Sequence, residues 1–527
     1  MVLERPGHAV IMNGALSPED RALVFIGFMG AGKSRALRAA RAAGLETADA
    51  DELVERELGM PIAEFFERHG EEEFRAREAA IIIPLLERTR CGAVALGGGA
   101  VLSEAVRDAL REHVAVWLEV GVETAWERSR RRDRPLARNR AAFAALHAER
   151  APLYESLAEA FLPDGDDVAA RALPHLLALR RAPAGTRLLW GASESGEYPG
   201  FVGAGILGRI EWPVAGRRFC IADATVARLH GERLGAVEAT IEVAPGESSK
   251  TLAEAERVLS ALAEAGMRRD DHVVALGGGV AGDLAGFCAA VYQRGVGVVQ
   301  VPTTLVGQVD SAWGGKTGVD IAAAKNYVGA FHQPAAVIAD TATLATLPAP
   351  ELAAGFVEVV KTALIAGGEL WERVRAIDAL DRDAVAPFVA PCARVKLGVV
   401  AEDERESGRR AVLNLGHTVG HAIEAATSYH RYRHGEAVGL GLLAALRLSE
   451  ADGLREEVRG LLARHGLPTG LDREVETDDV MAAVERDKKA SAGGVGFVLV
   501  DRPGEVATGQ LVDEARVRTA VDELRKV

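Results

Sequence analysis

Residues Gly27 to Ser34 read GFMGAGKS, the spacing GxxxxGK[ST], between an apolar run and a helix-forming stretch. The N–H groups of such a turn, at Gly30, Ala31 and Gly32, and the helix start behind it suit phosphate oxygens. Lys33 could then reach the β/γ-phosphates, and Ser34 could hold magnesium. A second glycine turn lies in VVALGGGVAGD, Val273 to Asp283, again between a strand pattern and a helix pattern. It suits a pyrophosphate, although it is not GxGxxG and a structural turn explains it equally well. A third group is made of histidines. His417 and His421 stand four apart, on one helical face, and His434 follows. Metal binding accounts for this cluster better than separate packing roles do. The residue after His417 is Thr418 and not the glutamate of a zincin, so a metalloprotease is disfavoured. Spacing alone does not identify a carboxylate ligand.

These groups need elements to hold them. From Ala22 to Leu179 strand and helix patterns alternate, which predicts an α/β layer structure. The stretch RRAPAG, Arg180 to Gly185, combines charge, proline and glycine, as a linker does. A second alternating unit follows, with apolar runs at Phe219 to Ala222, His272 to Leu276 and Val296 to Val301. Beyond Leu347 helical patterns dominate, as in Glu436 to Ala451 and Leu454 to His465. The expected division is a loose extension over 1–20, a nucleotide-binding α/β domain over 21–179 and a linker over 180–186. A second α/β domain over 187–345, which the resemblance given below makes the NAD-binding one, and a mainly α-helical domain over 346–527 complete it. The tetrapeptide LGGG recurs at Leu96 and Leu276 without a surrounding repeat.

The 527 residues carry a formal charge of −14, which disfavours broad contact with nucleic acid or anionic membrane and leaves small molecules as the expected partners. Four scattered cysteines, Cys91, Cys220, Cys288 and Cys392, form no CxxC and read as packing residues in a reducing compartment. The apolar stretch Ala437 to Leu446 is too short to span a bilayer, and the first residues lack a secretory pattern. A cytoplasmic location is expected.

Further motifs sharpen the reading of 22–180. DADE (Asp49 to Glu52), GEEEFRARE (Gly70 to Glu78), GGG (Gly97 to Gly99), RPL (Arg134 to Leu136) and ERAPLY (Glu149 to Tyr154) follow the glycine turn in order. The stretch resembles shikimate kinase. That resemblance implies ATP as co-substrate with Mg2+ at Ser34 and Asp49, and Asp51 on the shikimate hydroxyls. It also implies Arg75 and Arg150 on the shikimate carboxylate, two guanidiniums meeting one anion. Gly97, Gly98 and Gly99 would let backbone approach the ring, while Arg134, with Arg128 nearby, would close a lid over ATP. Lys33, Asp49, Asp51 and Arg134 are then the catalytic set. Arg35 departs from the small hydroxyl residue usual in this family.

From about Arg187 onward the chain resembles 3-dehydroquinate synthase. The pattern is PGESSK (Pro245 to Lys250), GGGVAGD, PTT (Pro302 to Thr304), DSAWGGKTG (Asp310 to Gly318), AKN (Ala324 to Asn326), GFVEVVK (Gly355 to Lys361), ERESGRRAVLNLGHTVGHAIE and HGEAV. The resemblance implies zinc, or cobalt in its place, on Glu358, His417 and His434. It implies NAD held by Asp223, Glu247, Lys250, Gly277, Gly278, Gly279, Asp283, Thr303 and Thr304. The substrate, 3-deoxy-D-arabino-heptulosonate 7-phosphate, would meet Asp310, Lys316, Lys325, Asn326, Lys361, Lys396, Arg410, Asn414, His421 and Lys488, the last preferred over Lys489. Asp310, Lys316, Lys361, Lys396, Arg410, Asn414 and His421 would be the catalytic group. Arg294 would complete the phosphate site across a homodimer interface of this half. Such an enzyme oxidises a carbinol with NAD, eliminates phosphate, returns the hydride and closes a carbocycle. Ala312, Trp313 and Asp320 depart from the family pattern and are expected to border the pocket.

The favoured reading is thus a fusion of two active enzymes of aromatic-precursor synthesis, acting at the second and fifth steps of one pathway. The alternatives are a related sugar-phosphate cyclase fused to another small-molecule kinase, or a synthase with an inactive kinase-like interaction module.

Overall fold

The computed structural model describes residues 20–131, 138–321, 324–490 and 496–525, with the side chains of 324 and 487–490 also left out. All but the last residue of the expected N-terminal extension lies outside the described residues, as does Arg134; of Lys488 only the backbone is described. The chain divides into two compact units, Met1–Ala182 and Pro183–Val527.

In the first unit, strands β1 (Leu23–Ile26), β2 (Thr47–Asp49), β3 (Ala93–Ala95), β4 (Val114–Leu118) and β5 (Ala160–Leu162) pair in parallel in the order β2-β3-β1-β4-β5. The four residues of β1, LVFI, are all buried, as a central parallel strand covered on both faces requires. Strand order reverses beside β1, and in open α/β sheets the crevice at such a switch point receives ligands. The turn Gly27 to Gly32 leaves β1 there and enters the helix Lys33–Ala42. A Cβ on Gly27 would stand 2.6 Å from the Leu118 carbonyl oxygen, so the turn is tight enough to demand glycine.

The second unit begins with the antiparallel hairpin β6 (Arg187–Ser193) and β7 (Gly196–Gly203). Strands β8 (Arg218–Asp223), β9 (Ala239–Val243), β10 (His272–Gly277) and β11 (Gly297–Pro302) follow, then a hairpin of β12 (Lys316–Ile321) and β13 (Ala324–Phe331), then β14 (Ala336–Asp340). The sheet order is β6-β7-β14-β11-β10-β8-β9, parallel from β7 onward. The second glycine turn leaves β10 and opens the helix Gly279–Val291.

The expected linker starts inside a helix, since Val168–Arg181 is helical and only 182–186 lack regular structure before β6. The C-terminal region is helical as expected, and adds a hairpin of β15 (Gly496–Arg502) and β16 (Glu505–Leu511). Its longest helix, Arg382–Glu402, runs through Pro387 and Pro391, which is why periodicity did not reveal it. Among the described residues it is the one helix long and apolar enough to cross a bilayer, and 56% of its most apolar window is buried in the protein. Cys220, Cys288 and Cys392 pack inside, but Cys91 is exposed in a turn with φ 55°, which corrects its expected core role.

Two helices carry the histidines, His417–Ala426 and His434–Leu448. They approach at backbone distance. A Cβ on Gly441 would overlap the Gly416 carbonyl oxygen and stand 2.8 Å from the Gly420 nitrogen, while Gly416 itself has φ 79°. Glycine at these crossings brings the first residues of both helices, His417 and His434, within reach of each other. Gly441→Ala is expected to cost about 1–3 kcal/mol of stability through overpacking. A urea titration should show a lower midpoint at unchanged slope; an unchanged midpoint would contradict the close packing.

Candidate functional site

In the first unit Gly30 (φ 84°) and Gly32 (φ 93°) bend the turn so that its N–H groups precede the helix start, with no acidic residue in the first helical turn. Lys33 Nζ folds over the loop, donating to the Gly27 carbonyl at 2.7 Å and the Phe28 carbonyl at 3.1 Å. Ser34 is exposed beside it. Asp49 caps the helix Ala50–Leu58 by accepting from the Asp51 N–H at 3.1 Å. Burial raises its carboxyl above the usual range, while Lys33 pulls it down. Arg128 donates to the Gly30 carbonyl at 3.1 Å and to Asp164 at 2.7 Å, forming one wall of a crevice that Ala31, Gly32, Arg35 and Asp167 also line. Arg35 reaches Asp166 at 2.6 Å, so this departure sits at the crevice edge.

Beyond the loop a basket forms around Gly97 to Gly99. A Cβ on Gly97 would strike Asp51, and one on Gly99 would strike the Arg75 guanidinium. Arg150, 5% exposed, points Nη1 at the Gly98 carbonyl from 3.4 Å, and its Nε is buried without a hydrogen-bond partner. Asp51, Arg75, the glycines and Arg150 therefore meet in one place. The sequence reading missed Glu78, which is buried and accepts from Arg75 at 2.5 Å. Burial raises its carboxyl, against the pull of Arg75. The i, i+3 spacing from Arg75 is the signal that could have found it.

In the second unit the turn after β10 packs against Thr304, whose Cγ2 would lie 2.8 Å from a Cβ on Gly278, and against Asp223, 3.4 Å from one on Gly277. The Thr303 N–H donates to the Gly277 carbonyl at 2.8 Å. Lys250 Nζ lies 3.1 Å from Glu247, 3.2 Å from Asp283 and 2.5 Å from Asn326 Oδ1. Burial opposes its charge, yet Asp283 and Glu247 outweigh burial and raise the ammonium. Nine residues expected at a dinucleotide thus gather around one helix start.

The histidines close on a buried carboxylate. His417 Nε2 is 3.6 Å and His434 Nε2 3.5 Å from Glu358 Oε1. His417 turns Nδ1 toward the Leu415 carbonyl at 3.2 Å, and His434 turns Nδ1 toward Glu424 at 3.3 Å, so both rings present Nε2 to the same point. Both Glu358 oxygens are fully buried with no aligned hydrogen-bond donor. Two imidazole Nε2 atoms converging on one carboxylate oxygen form a donor set that suits a divalent cation. Ligand atoms of His417, His421 and His434 lie within 4.8 Å of one another, but His421 is exposed.

Around this point the cations converge. Lys361 Nζ is 2.6 Å from Glu358 Oε2, and Lys396 Nζ is 2.7 Å from Asp310 Oδ1. Burial works against the Asp310 charge, but Lys361 and Lys396 outweigh it and hold the carboxyl at about 2. Asp310 lies in a π-helical turn, Gly307–Ser311, the kind of irregularity that often marks a functional site. Arg410 donates to the Gly314 carbonyl at 2.8 Å and to the Glu404 carbonyl. Lys316 pairs with Glu406, which also accepts from Asn414 Nδ2 at 2.6 Å. Glu406, in the left-handed region at φ 60°, was missed because nothing in ERESGRR marks it as inward-facing. Lys325 lies 3.3 Å from Glu247 and 3.6 Å from Glu424. Arg294 is not with the others: it is exposed past the far end of the helix Gly279–Val291, about 20 Å along the axis from the glycine turn.

Two departures change meaning. Trp313 does not border the pocket; it is fully buried, donates Nε1–H to the Gln308 carbonyl at 2.8 Å and covers Gly200 on β7. Asp320 accepts from the Asn326 N–H at 2.7 Å and so ties β12 to the start of β13, where Lys325 and Asn326 stand.

Comparison with known proteins assigns both units to families. Residues 29–178 match the shikimate kinase family, 240–354 the 3-dehydroquinate synthase N-terminal family and 355–490 its C-terminal family. The chain is 43% identical over 352 residues to 3-dehydroquinate synthase of Symbiobacterium thermophilum, covering 62% of this chain and 98% of that one. It is 46% identical over 355 residues to the Halorhodospira halophila enzyme, covering 64% and 99%. Among solved structures, 2-epi-5-epi-valiolone synthase from Streptomyces hygroscopicus, with NAD+ and Zn2+ bound, superposes with a TM-score of 0.59 at 27% identity, over 63% of this chain and 98% of that one. Trp313→Ala is expected to cost about 3–5 kcal/mol through the cavity it leaves. Loss of turnover without loss of thermal stability would return Trp313 to the pocket.

Proposed function

The chain belongs to the 3-dehydroquinate synthase family and carries a shikimate kinase domain before it, and from that premise we propose that one polypeptide performs both reactions. The first unit transfers the γ-phosphoryl group of ATP to the 3-hydroxyl of shikimate. The second converts 3-deoxy-D-arabino-heptulosonate 7-phosphate to 3-dehydroquinate and phosphate. What supports the reading most is the buried Glu358 carboxylate, which has no aligned donor, faces two histidine Nε2 atoms and lies beside Lys361.

In the kinase unit, the turn and Lys33 hold the β/γ-phosphates, with Mg2+ at Ser34 and Asp49. Arg75 and Arg150 bind the shikimate carboxylate while Asp51 orients the attacking hydroxyl. Glu78 holds Arg75 in its fork geometry. Arg128 and Arg134 neutralise the developing charge and exclude water from the nucleotide.

In the synthase unit, zinc or cobalt would sit on Glu358, His417 and His434 and supply Lewis acidity toward the substrate hydroxyls. NAD, on the Gly277 to Gly279 turn with Asp223, Glu247, Lys250, Asp283, Thr303 and Thr304, would supply hydride acceptance and return. Lys396 and Arg410 neutralise the carboxylate; Lys316, Asn414, His421 and Lys488 take the phosphate, joined by Arg294 of a second copy in a homodimer. Lys325, Asn326 and Asp310 orient the ring hydroxyls. Burial lowers the Lys396 ammonium, against the pull of Asp310, its ion-pair partner at 2.7 Å. Identities of 43% and 46% to 3-dehydroquinate synthases, against 27% to the valiolone synthase, favour the dehydroquinate-forming reaction over that of another cyclase. A cytoplasmic setting fits both reactions.

Lys33→Ala is expected to lower ADP formation by on the order of 10²–10³-fold, as loss of one transition-state donor does, and leave dehydroquinate formation intact. His434→Ala should do the reverse. Loss of both activities in either variant, with the fold preserved, would contradict separate sites. Metal uptake also has a proton signature. Burial opposes the His434 charge, but Glu358 and Glu424 outweigh it and raise the ring to about 10, so the metal-free ring is protonated near neutrality. His417 is held at about 3 by burial and Lys361, so it is already neutral. Zinc binding at pH 7.5 should therefore release about one proton per ion from His434, read by calorimetry in buffers of different ionisation enthalpy. Above pH 10 the release should vanish, and an absence of release at pH 7.5 would contradict the assignment.

A further inference from the structure

One buried carboxylate in the second unit has no role in the reaction as described. Glu424 lies on the helix His417–Ala426, seven residues beyond His417 and so on the same face. Its side chain is 5% exposed. Its two oxygens serve different neighbours: Oε2 lies 3.3 Å from His434 Nδ1, and Oε1 lies 3.6 Å from Lys325 Nζ. Lys325 Nζ is also 3.3 Å from Glu247 Oε1, the same oxygen that Lys250 Nζ approaches at 3.1 Å, and Lys250 continues to Asp283 at 3.2 Å. Lys325 is fixed from a further direction by the Tyr429 ring, 4.7 Å from Nζ to its centroid. Charges therefore alternate without a break from the candidate metal ligand His434 to the helix that opens at the glycine turn. The contributing segments are the two histidine helices, β13, the PGESSK turn and the helix Gly279–Val291, so the row joins the helical part of the unit to its sheet.

We propose that Glu424 is a positioning residue that couples the metal centre to the dinucleotide pocket, through His434 on one side and Lys325 and Glu247 on the other. The inference rests on the metal and NAD assignments made above. A carboxylate behind a ligating imidazole fixes its tautomer and ring orientation and raises its basicity. Here that carboxylate is itself fixed by a lysine whose second partner lies among the dinucleotide residues. Each ligand meets one end of this row, so a change that one makes in it is felt at the other, and linkage requires the effect to be equal in both directions. Lys250 is 3% exposed, so solvent screens it little, whereas Lys325 and Glu247 are 25% and 38% exposed and their pair is the more screened link of the row.

The test uses the full chain stripped of metal and titrated with Zn2+ against a chromophoric chelator, with and without NAD. In the unaltered protein NAD should tighten zinc binding by about fivefold or more, within the usual range of coupling between sites. Zinc should tighten NAD binding, read by fluorescence, by the same factor. Glu424→Gln keeps the volume and an acceptor for His434 Nδ1–H but removes the charge that holds Lys325. Its zinc affinity should fall, less than the 10–100-fold loss expected for Glu424→Ala, whereas the mutual effect of zinc and NAD should disappear in both. A purely structural role would lower thermal stability and would not separate the two variants in this way. Zinc affinity unchanged in Glu424→Ala overturns the positioning role. A persistent NAD effect in Glu424→Gln overturns the coupling. Failure of the unaltered protein to bind zinc at all would instead overturn the metal assignment beneath it.

Discussion

Glu358 is held at zero exposure on a helix in which Val357, Val359 and Val360 are equally buried, so its charge has no water to turn to. Burying an ion unpaired costs several kcal/mol, and the site answers with Lys361 one helical turn on, itself 1% exposed. Burial opposes the Glu358 charge, but Lys361 outweighs it and holds the carboxyl well below the usual range. One cation does not satisfy both oxygens, and the two histidine rings arrive from helices that glycines allow to touch. Lys361 in turn needs more negative charge nearby, which Asp310 supplies from the π-helical turn, and Asp310 holds Lys396. Each charge requires the next, and the elements that carry them are thereby fixed around a small polar volume in an apolar helical region.

The first unit solves a similar problem at smaller scale. Arg75 packs over Phe66 and Phe74 and over Glu78, so its guanidinium is aimed before any substrate arrives. Three glycines in a row remove the side chains that would otherwise fill the basket, and Asp51 and Arg75 occupy that space instead. Preorganisation of this kind lowers the ordering cost at the moment of binding. The same device recurs at Gly277 to Gly279, where Thr304 and Asp223 press against backbone.

The residues that carry chemistry were legible where motif and spacing act locally. The turn before Lys33, the pair His417 and His421, and the strands at Phe219, Val273 and Val298 all follow from short-range pattern. What the pattern did not reveal depends on distant packing. Glu78 and Glu424 look like ordinary acidic residues on helices until the fold brings Arg75 and His434 against them. Trp313 reads as a pocket neighbour, yet its ring turns to Gly200, more than a hundred residues away. The helix Arg382–Glu402 was hidden by two prolines whose missing N–H groups tertiary packing tolerates. Arg294 stands outside the cluster of its own chain.

The two proposed reactions are not consecutive, so on that reading neither unit feeds the other and a shared intermediate offers no reason for the fusion. Each unit instead contains its own nucleotide turn and its own anion-binding cations, and the account requires them to act on unrelated substrates in one molecule. The most direct measurement incubates the purified, zinc-loaded protein with NAD and 3-deoxy-D-arabino-heptulosonate 7-phosphate in one vessel and with Mg2+, ATP and shikimate in another. Dehydroquinate with one equivalent of phosphate should form in the first, and shikimate 3-phosphate with one equivalent of ADP in the second. Formation of either product pair without the other would contradict a polypeptide with two working sites.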